Sequence, residues 1–214
     1  MIRTFTPEPT RRQRNRARKL AEYLDHALAI VSEKGLDGLT MPGLAERADA
    51  GVGSLYRYFT GKDAVIAALQ VRAVQAYGEH LAAVLDDGPP LVALRRVSAT
   101  WADFRHQQPE LFSLADGSLS DPRQLLNDEQ ASEVAAALAP SLAAVSRLID
   151  RAVDQGELAP GDTTLRTHSL WAAMHGSEHF RKREGRHGPS ADGLRAELIE
   201  ALLGYWARPS SSTG

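Results

Sequence analysis

The chain has 214 residues, 43% of them hydrophobic and 24% charged, which is enough apolar material for a sizeable core and too little charge for wholesale disorder. It contains no cysteine, which excludes a disulfide framework, a cysteine-ligated zinc and a cysteine nucleophile. The net charge of −2 argues against a generic polyanion binder, but it is unevenly spread: eleven Lys and Arg stand against seven Asp and Glu up to Lys62, and fourteen against twenty after it. No apolar run in the sequence approaches the roughly 18–20 residues of a membrane span. The first arginines are not followed by the apolar stretch of a signal peptide. A soluble, cytoplasmic protein with no membrane partner is expected.

Residues 1–10, with Pro7 and Pro9, read as a disordered arm. Six basic residues follow with no acid among them: Arg11, Arg12, Arg14, Arg16, Arg18 and Lys19. They are either an arm that tracks phosphates or a minor groove, or the solvated start of a helix. Leu20, Leu24, Ala27, Leu28 and Val31 then fall on one helical face, predicting a helix over 10–34 that Gly35 stops. Thr40 caps a short helix with Pro42 in its first turn, running to about Ala48. Asp49-Ala50-Gly51 breaks it, and a second short helix runs from about Val52 to Tyr58.

Two helices of about two turns each cannot bury a face alone, so they must pack on their longer neighbours. Leu44, Ala45, Ala48, Leu55 and Phe59 are the expected inward positions. Left outward on the second helix is a polar, aromatic and basic set suited to a major groove. Arg57 can donate two hydrogen bonds to a guanine edge or pair with a phosphate. Ser54 can bond either, Val52 offers a methyl contact for thymine, and Gly53 admits close approach of the backbone. Tyr56 and Tyr58 have hydroxyls for flanking phosphates. Lys62 opens the next helix, where its ammonium and the helix N-terminus both attract a phosphate.

The segment Thr40 to Asp63 resembles the DNA-binding domain of the TetR (tetracycline-repressor-like) family. The match is carried by Thr40, Leu44, Ala45 and Ala48 at its start, and by Leu55, Tyr56, Tyr58, Phe59, Lys62 and Asp63 at its end. Two positions depart from the family pattern. The turn usually reads Ala-Gly-Val and here has Asp49, a residue that can adopt the conformation glycine favours. Gly51 stands where a serine often caps the recognition helix. The resemblance implies an all-α fold of about nine helices, with a three-helix helix-turn-helix head and a helical-bundle body. It also implies a homodimer, a palindromic double-stranded DNA operator and a small-molecule effector, with repression as the family's usual mode. The boundaries expected are an arm over 1–10, the DNA-binding domain over 11–62, the ligand and dimerisation domain over 63–208, and a disordered tail over 209–214.

Helices are predicted over about 62–86, 90–107, 109–116, 122–155 (with a break near Asn127 or Pro140), 162–184 and 190–207, and no strand is expected. Leu194, Leu198, Leu202, Tyr205 and Trp206 lie on one broad face of the last helix. Ala172 and Gly176 are small residues on the one before. The two helices would form a four-helix interface with a second subunit, or else belong to the core of a monomer. Trp171, His175 and Gly176 are similar to a Trp-His-Gly signature found in one group of TetR C-terminal domains. Trp101, Phe104, Phe112, Trp171, Met174 and His175 are candidates to line an effector pocket, with plain core packing as the alternative. His175, Glu178 and His179 also fit an H-x-x-E-H pattern, which would make a zinc hydrolase the competing function. No other catalytic constellation is present, so a regulator is expected and not an enzyme, with no cofactor and no bound metal.

Overall fold

The computed structural model describes residues 10–85, 88–120, 126–181 and 188–207, with backbone alone over 117–120. The tail expected over 209–214, and all of the arm over 1–10 except Thr10, lie outside the described residues. Among the described residues the chain forms nine α-helices and no β-strand. These are α1 (Arg11–Lys34), α2 (Met41–Arg47), α3 (Val52–Leu55), α4 (Lys62–Ala82), α5 (Pro90–Gln107), α6 (Pro109–Ser120), α7 (Asp128–Asp154), α8 (Thr163–Glu178) and α9 (Ala191–Trp206).

The helix ends follow local chemistry. Thr10 and Gln13 form a capping box at α1: the Thr10 hydroxyl accepts from the Gln13 N–H at 3.2 Å, and the Gln13 side chain accepts from the Thr10 N–H at 2.7 Å. Gly35 ends α1 with φ of 72°, in the left-handed region that favours glycine. Thr40 caps α2 by accepting from the Gly43 N–H at 3.1 Å. A short 3-10 turn at Leu36–Gly38, not anticipated from sequence, joins α1 to Leu39.

Several boundaries differ from the sequence expectation. The recognition helix is regular only over Val52–Leu55, and the Tyr58 and Phe59 N–H groups then both return to the Leu55 carbonyl in a tighter turn. α4 ends at Ala82 and α8 at Glu178, short of 86 and 184. α6 runs on through Gly117 to Ser120, because burial of Leu114 and Ala115 outweighs a glycine penalty of about 1 kcal/mol. α7 begins after Asn127, as the sequence allows, but does not break at Pro140. Pro140 and Ala136 are both solvent-exposed, so water can take the carbonyl left without its N–H partner. α7 also passes, by length and mean hydropathy alone, as a helix able to cross a membrane, which the sequence reading had excluded for every segment. Its stripe of Ser141, Val145, Leu148 and Ile149 is buried in the bundle, where α7 packs against α4, α5 and α8.

One continuous core joins head and body. In the head, α1 buries Tyr23, Leu24, Ala27 and Ile30 against α2 and α3, whose expected inward residues Leu44, Ala45, Ala48, Leu55 and Phe59 are all buried. Arg47 and Glu33 add two hydrogen bonds of 2.7 Å between α2 and α1. α4 serves both regions, and both α4 and α6 touch α1. In the body an ion cluster ties α5, α8 and α9 together. Arg105 donates to Glu178 at 2.8 Å and to Asp192 at 3.1 Å, and Arg195 donates to Asp192 at 2.8 Å. Glu178 keeps only 3% of its side chain exposed, so these cations supply what water would otherwise provide.

Candidate nucleic-acid interface and effector cavity

The head presents one coherent outward surface. Val52, Gly53, Tyr56 and Arg57 are exposed, and Ser54 is half-buried beside them. Nothing lies within 4 Å of where a Cβ would stand on Gly53, so this face of α3 is open to a close approach. Arg57 is held near its neighbour by a 3.3 Å hydrogen bond from Nη2 to the Ser54 hydroxyl. Asp49 turns the chain between α2 and α3 with φ of 46°, and among the described residues it is the one non-glycine in the left-handed region. Gly51 caps α3 with no side-chain bond. Lys62 stands at the first position of α4, as expected, and Thr40 is exposed at the start of α2.

Tyr58 departs from the outward role given to it. Its ring is half-buried, edge-on to Tyr23 at 5.3 Å between centroids, and Arg16 lies over it. It therefore fastens α1 to the recognition segment. Arg11, Arg12 and Arg14 are exposed on the first turns of α1, extending the basic surface.

In the body, α4, α5, α6, α7 and α8 line two largely apolar cavities that share Tyr77, Leu138 and Trp171. Each leaves about 30 Å³ that water can enter, room for one or two molecules. Trp101 and His175 line one of them, Met174 lines the other, and Trp171 borders both. Phe104 and Phe112 do not line either: Phe104 is fully buried, and Phe112 backs the Trp101 ring at 4.8 Å. Sequence reading missed Tyr77 and Leu138, because a Tyr on an apolar helix and a Leu in an alanine-rich one carry no pocket signal of their own. Burial pushes the Tyr77 hydroxyl well above its ordinary range, opposed weakly by Arg195, so it stays neutral. A broader open groove runs between α4 and α7 beside these cavities, along Gly78, Glu79, Pro140 and Ala144.

The outer faces of α8 and α9 carry Leu165, Leu198 and Tyr205 with 65%, 37% and 70% of their surface exposed. Ala172 is exposed between them, and Gly176 and Leu194 are half-exposed. Two residues expected on this face turn inward. Trp206 is buried with the Arg166 guanidinium stacked on its ring at 5.4 Å, and Leu202 packs against the core. Tryptophan has more apolar area to bury than any other side chain here, which favours the core over the rim.

The residues of the H-x-x-E-H pattern do not converge. His175 pairs through Nδ1 with Asp116 at 3.3 Å, and Glu178 is spent on Arg105 and Arg181. His179 is exposed just past the end of α8. No group of three metal-ligating side chains is found among the described residues.

A three-helix head with an exposed, basic second helix of its turn motif, set on a helical body, has the form of a helix-turn-helix head. Residues 24–69 match the family described as bacterial regulatory proteins, tetR family. Over 50 residues it is 48% identical to the HTH-type transcriptional repressor KstR of Mycolicibacterium smegmatis, a match covering 23% of either chain. The similarity to KstR thus spans less than a quarter of that protein's length. Two solved structures share the whole architecture. FadR from Bacillus subtilis, in complex with stearoyl-CoA, has a TM-score of 0.69 at 16% identity, over 86% of this chain and 97% of that one. AibR, in complex with isovaleryl coenzyme A and operator DNA, has a TM-score of 0.66 at 16% identity, over 86% and 98%.

Proposed function

We propose that the protein is a ligand-responsive transcriptional repressor that binds a palindromic operator as a homodimer and is released by a small-molecule effector. The observation that carries this reading is the exposed face of α3, with Val52, Ser54, Tyr56 and Arg57 outward and Lys62 at the following helix start. Arg57 and Ser54 would reach base edges, while Lys62, Tyr56, Thr40 and the arginines Arg11, Arg12 and Arg14 would hold phosphates.

The exposed apolar strip of α8 and α9 supports pairing with a second copy. Ala172, Gly176, Leu194, Leu198 and Tyr205 would meet their equivalents in a four-helix interface. Two recognition helices about 34 Å apart would then read successive major grooves. The acyl-coenzyme A ligands of FadR and AibR are in keeping with an effector that has an apolar body, as are the apolar walls around Tyr77, Trp171 and Leu138.

Release of DNA follows from α4. It supplies Val74, Tyr77 and Leu81 to the cavities and Lys62 to the DNA side, and its Arg72 pairs with Asp25 of α1 at 2.5 Å. An effector larger than one or two waters must push α4 and α7 apart. That tilts α4 and the head with it. The effector acts only through its different affinity for the two arrangements.

The test is binding of the purified protein to the DNA upstream of its own gene and to a scrambled duplex, at two salt concentrations. Preference for the native duplex, weakened by salt and with two protomers per site, supports the reading. No binding to a fully randomised duplex pool would sink it.

A further inference from the structure

Trp101, on α5, has 2% of its surface exposed, and its indole N–H has no hydrogen-bond partner. A buried donor without an acceptor is costly, and the Trp101 N–H lacks one. The ring lines the same cavity as His175, with 4.3 Å between ring centroids and an interplanar angle of 61°. His175 Nδ1 lies 3.3 Å from the Asp116 carboxylate. A carboxylate only accepts, so Nδ1 carries the proton of that bond, and in the neutral imidazole Nε2 is left as a lone pair. The remaining walls are Val74, Ala115, Val134 and Leu138 together with the rings of Tyr77 and Trp171, whose hydroxyl and N–H are the further polar groups of the lining.

Two neighbouring rings that line one cavity therefore carry an unpartnered donor and an acceptor nitrogen. We propose that Trp101 and His175 together clasp the hydroxyl group of the effector. The hydroxyl oxygen accepts from Trp101 Nε1, and the hydroxyl proton is donated to His175 Nε2. The apolar remainder of the molecule runs past Trp171 and Leu138 toward Met174, and two narrow cavities meeting at those residues suit an extended chain. The assignment rests on the cavity being the effector site. It also gives the signal a direct path: Asp116, which orients His175, is on α6, and α6 touches α1 of the head.

The experiment is calorimetric titration of the full-length protein at pH 8 with three chains of equal length: 1-octanol, which donates and accepts; 2-octanone, which accepts only; and 1-chlorooctane, which lacks both strong functions. Wild type should bind 1-octanol roughly tenfold more tightly than 1-chlorooctane, with 2-octanone between. Trp101→Phe should weaken the alcohol and the ketone together and spare the chloroalkane. His175→Phe should weaken the alcohol alone. Both variants keep an aromatic ring in the cluster, and their folding is checked by circular dichroism. Equal binding of all three chains by wild type, or an alcohol preference that survives both substitutions, overturns the hydroxyl clasp and leaves the cavity as a ligand site. Binding of none of them, with wild-type DNA binding intact, removes the cavity reading and the clasp with it.

Discussion

The guanidinium carbon of Arg16 lies 4.8 Å from the centroid of the Tyr58 ring, and the same side chain donates from Nη2 to the Arg57 carbonyl at 3.2 Å. One residue of the basic run thus grips the end of the recognition segment from α1. An exposed cation–π contact contributes about 0.5–1 kcal/mol. Arg16→Ala should lower the melting temperature slightly and weaken binding to the native duplex more than to a scrambled one, because it loosens the backbone that presents Arg57. Binding of native and scrambled duplexes in parallel checks this. An equal loss on both duplexes would make Arg16 a phosphate contact instead.

Arg57→Ala separates base recognition from phosphate contact. A residue that reads a base should cost about 1–3 kcal/mol on the native operator and relax preference at one position. The measurement is selection from a randomised operator library with wild type and variant. An equal loss on all sequences, with a shallower salt dependence, would assign Arg57 to phosphate.

Asp49 holds φ of 46° in the turn between α2 and α3. Replacing it by glycine relieves the strain, and Asp49→Gly should leave stability unchanged or raise it by a few tenths of a kcal/mol. Asp49→Val, with a branched side chain in the left-handed region, should lose about 1–2 kcal/mol. Chemical denaturation of both variants gives the order. Equal stability of the two would mean that the turn rearranges.

Glu178→Gln leaves Arg105 and Arg195 with Asp192 as their shared carboxylate and should destabilise by about 3 kcal/mol. The same cluster predicts a loss of stability in acid. The hydrogen bond from Arg105, followed by that from Arg195, holds the Asp192 carboxyl at about 2, below its ordinary 3.8. Its folded value is depressed, so its contribution is complete above about pH 4 and is lost as the pH falls toward 2. Denaturation midpoints at pH 5 and pH 2.5 should differ less in Asp192→Asn than in wild type. An identical pH dependence in both would remove Asp192 from the account.

Leu198→Glu and Tyr205→Glu place charges on the apolar strip of α9, where each side chain is exposed in the single chain. Neither should harm the fold of a protomer, and both should convert the protein to a monomer with much weaker operator binding. Sedimentation with circular dichroism distinguishes the outcomes. A variant that remains dimeric would move the interface elsewhere.

The head was legible in the sequence because its signals are local. Caps at Thr40, a stop at Gly35, inward Leu44, Leu55 and Phe59, and outward Arg57 all follow from helical spacing and turn chemistry within a few residues. The sequence also determined the class of fold and the departure at Asp49, while it left the break in the long helix open between Asn127 and Pro140. Tertiary structure alone decided the fate of side chains with two plausible surroundings. Tyr58 could face a phosphate or Tyr23, and Trp206 a partner or its own core. The choice depends on which element packs opposite, and helical periodicity says nothing of that. The cavity was half-legible for the same reason. Trp101, Trp171, Met174 and His175 stand out by residue type, whereas Tyr77 and Leu138 become walls only once α4 and α7 are brought against α8. The ion cluster of Arg105, Glu178 and Asp192 was hidden altogether: its members lie on three helices far apart in sequence, and only burial of Glu178 among arginines turns ordinary surface charges into a structural joint.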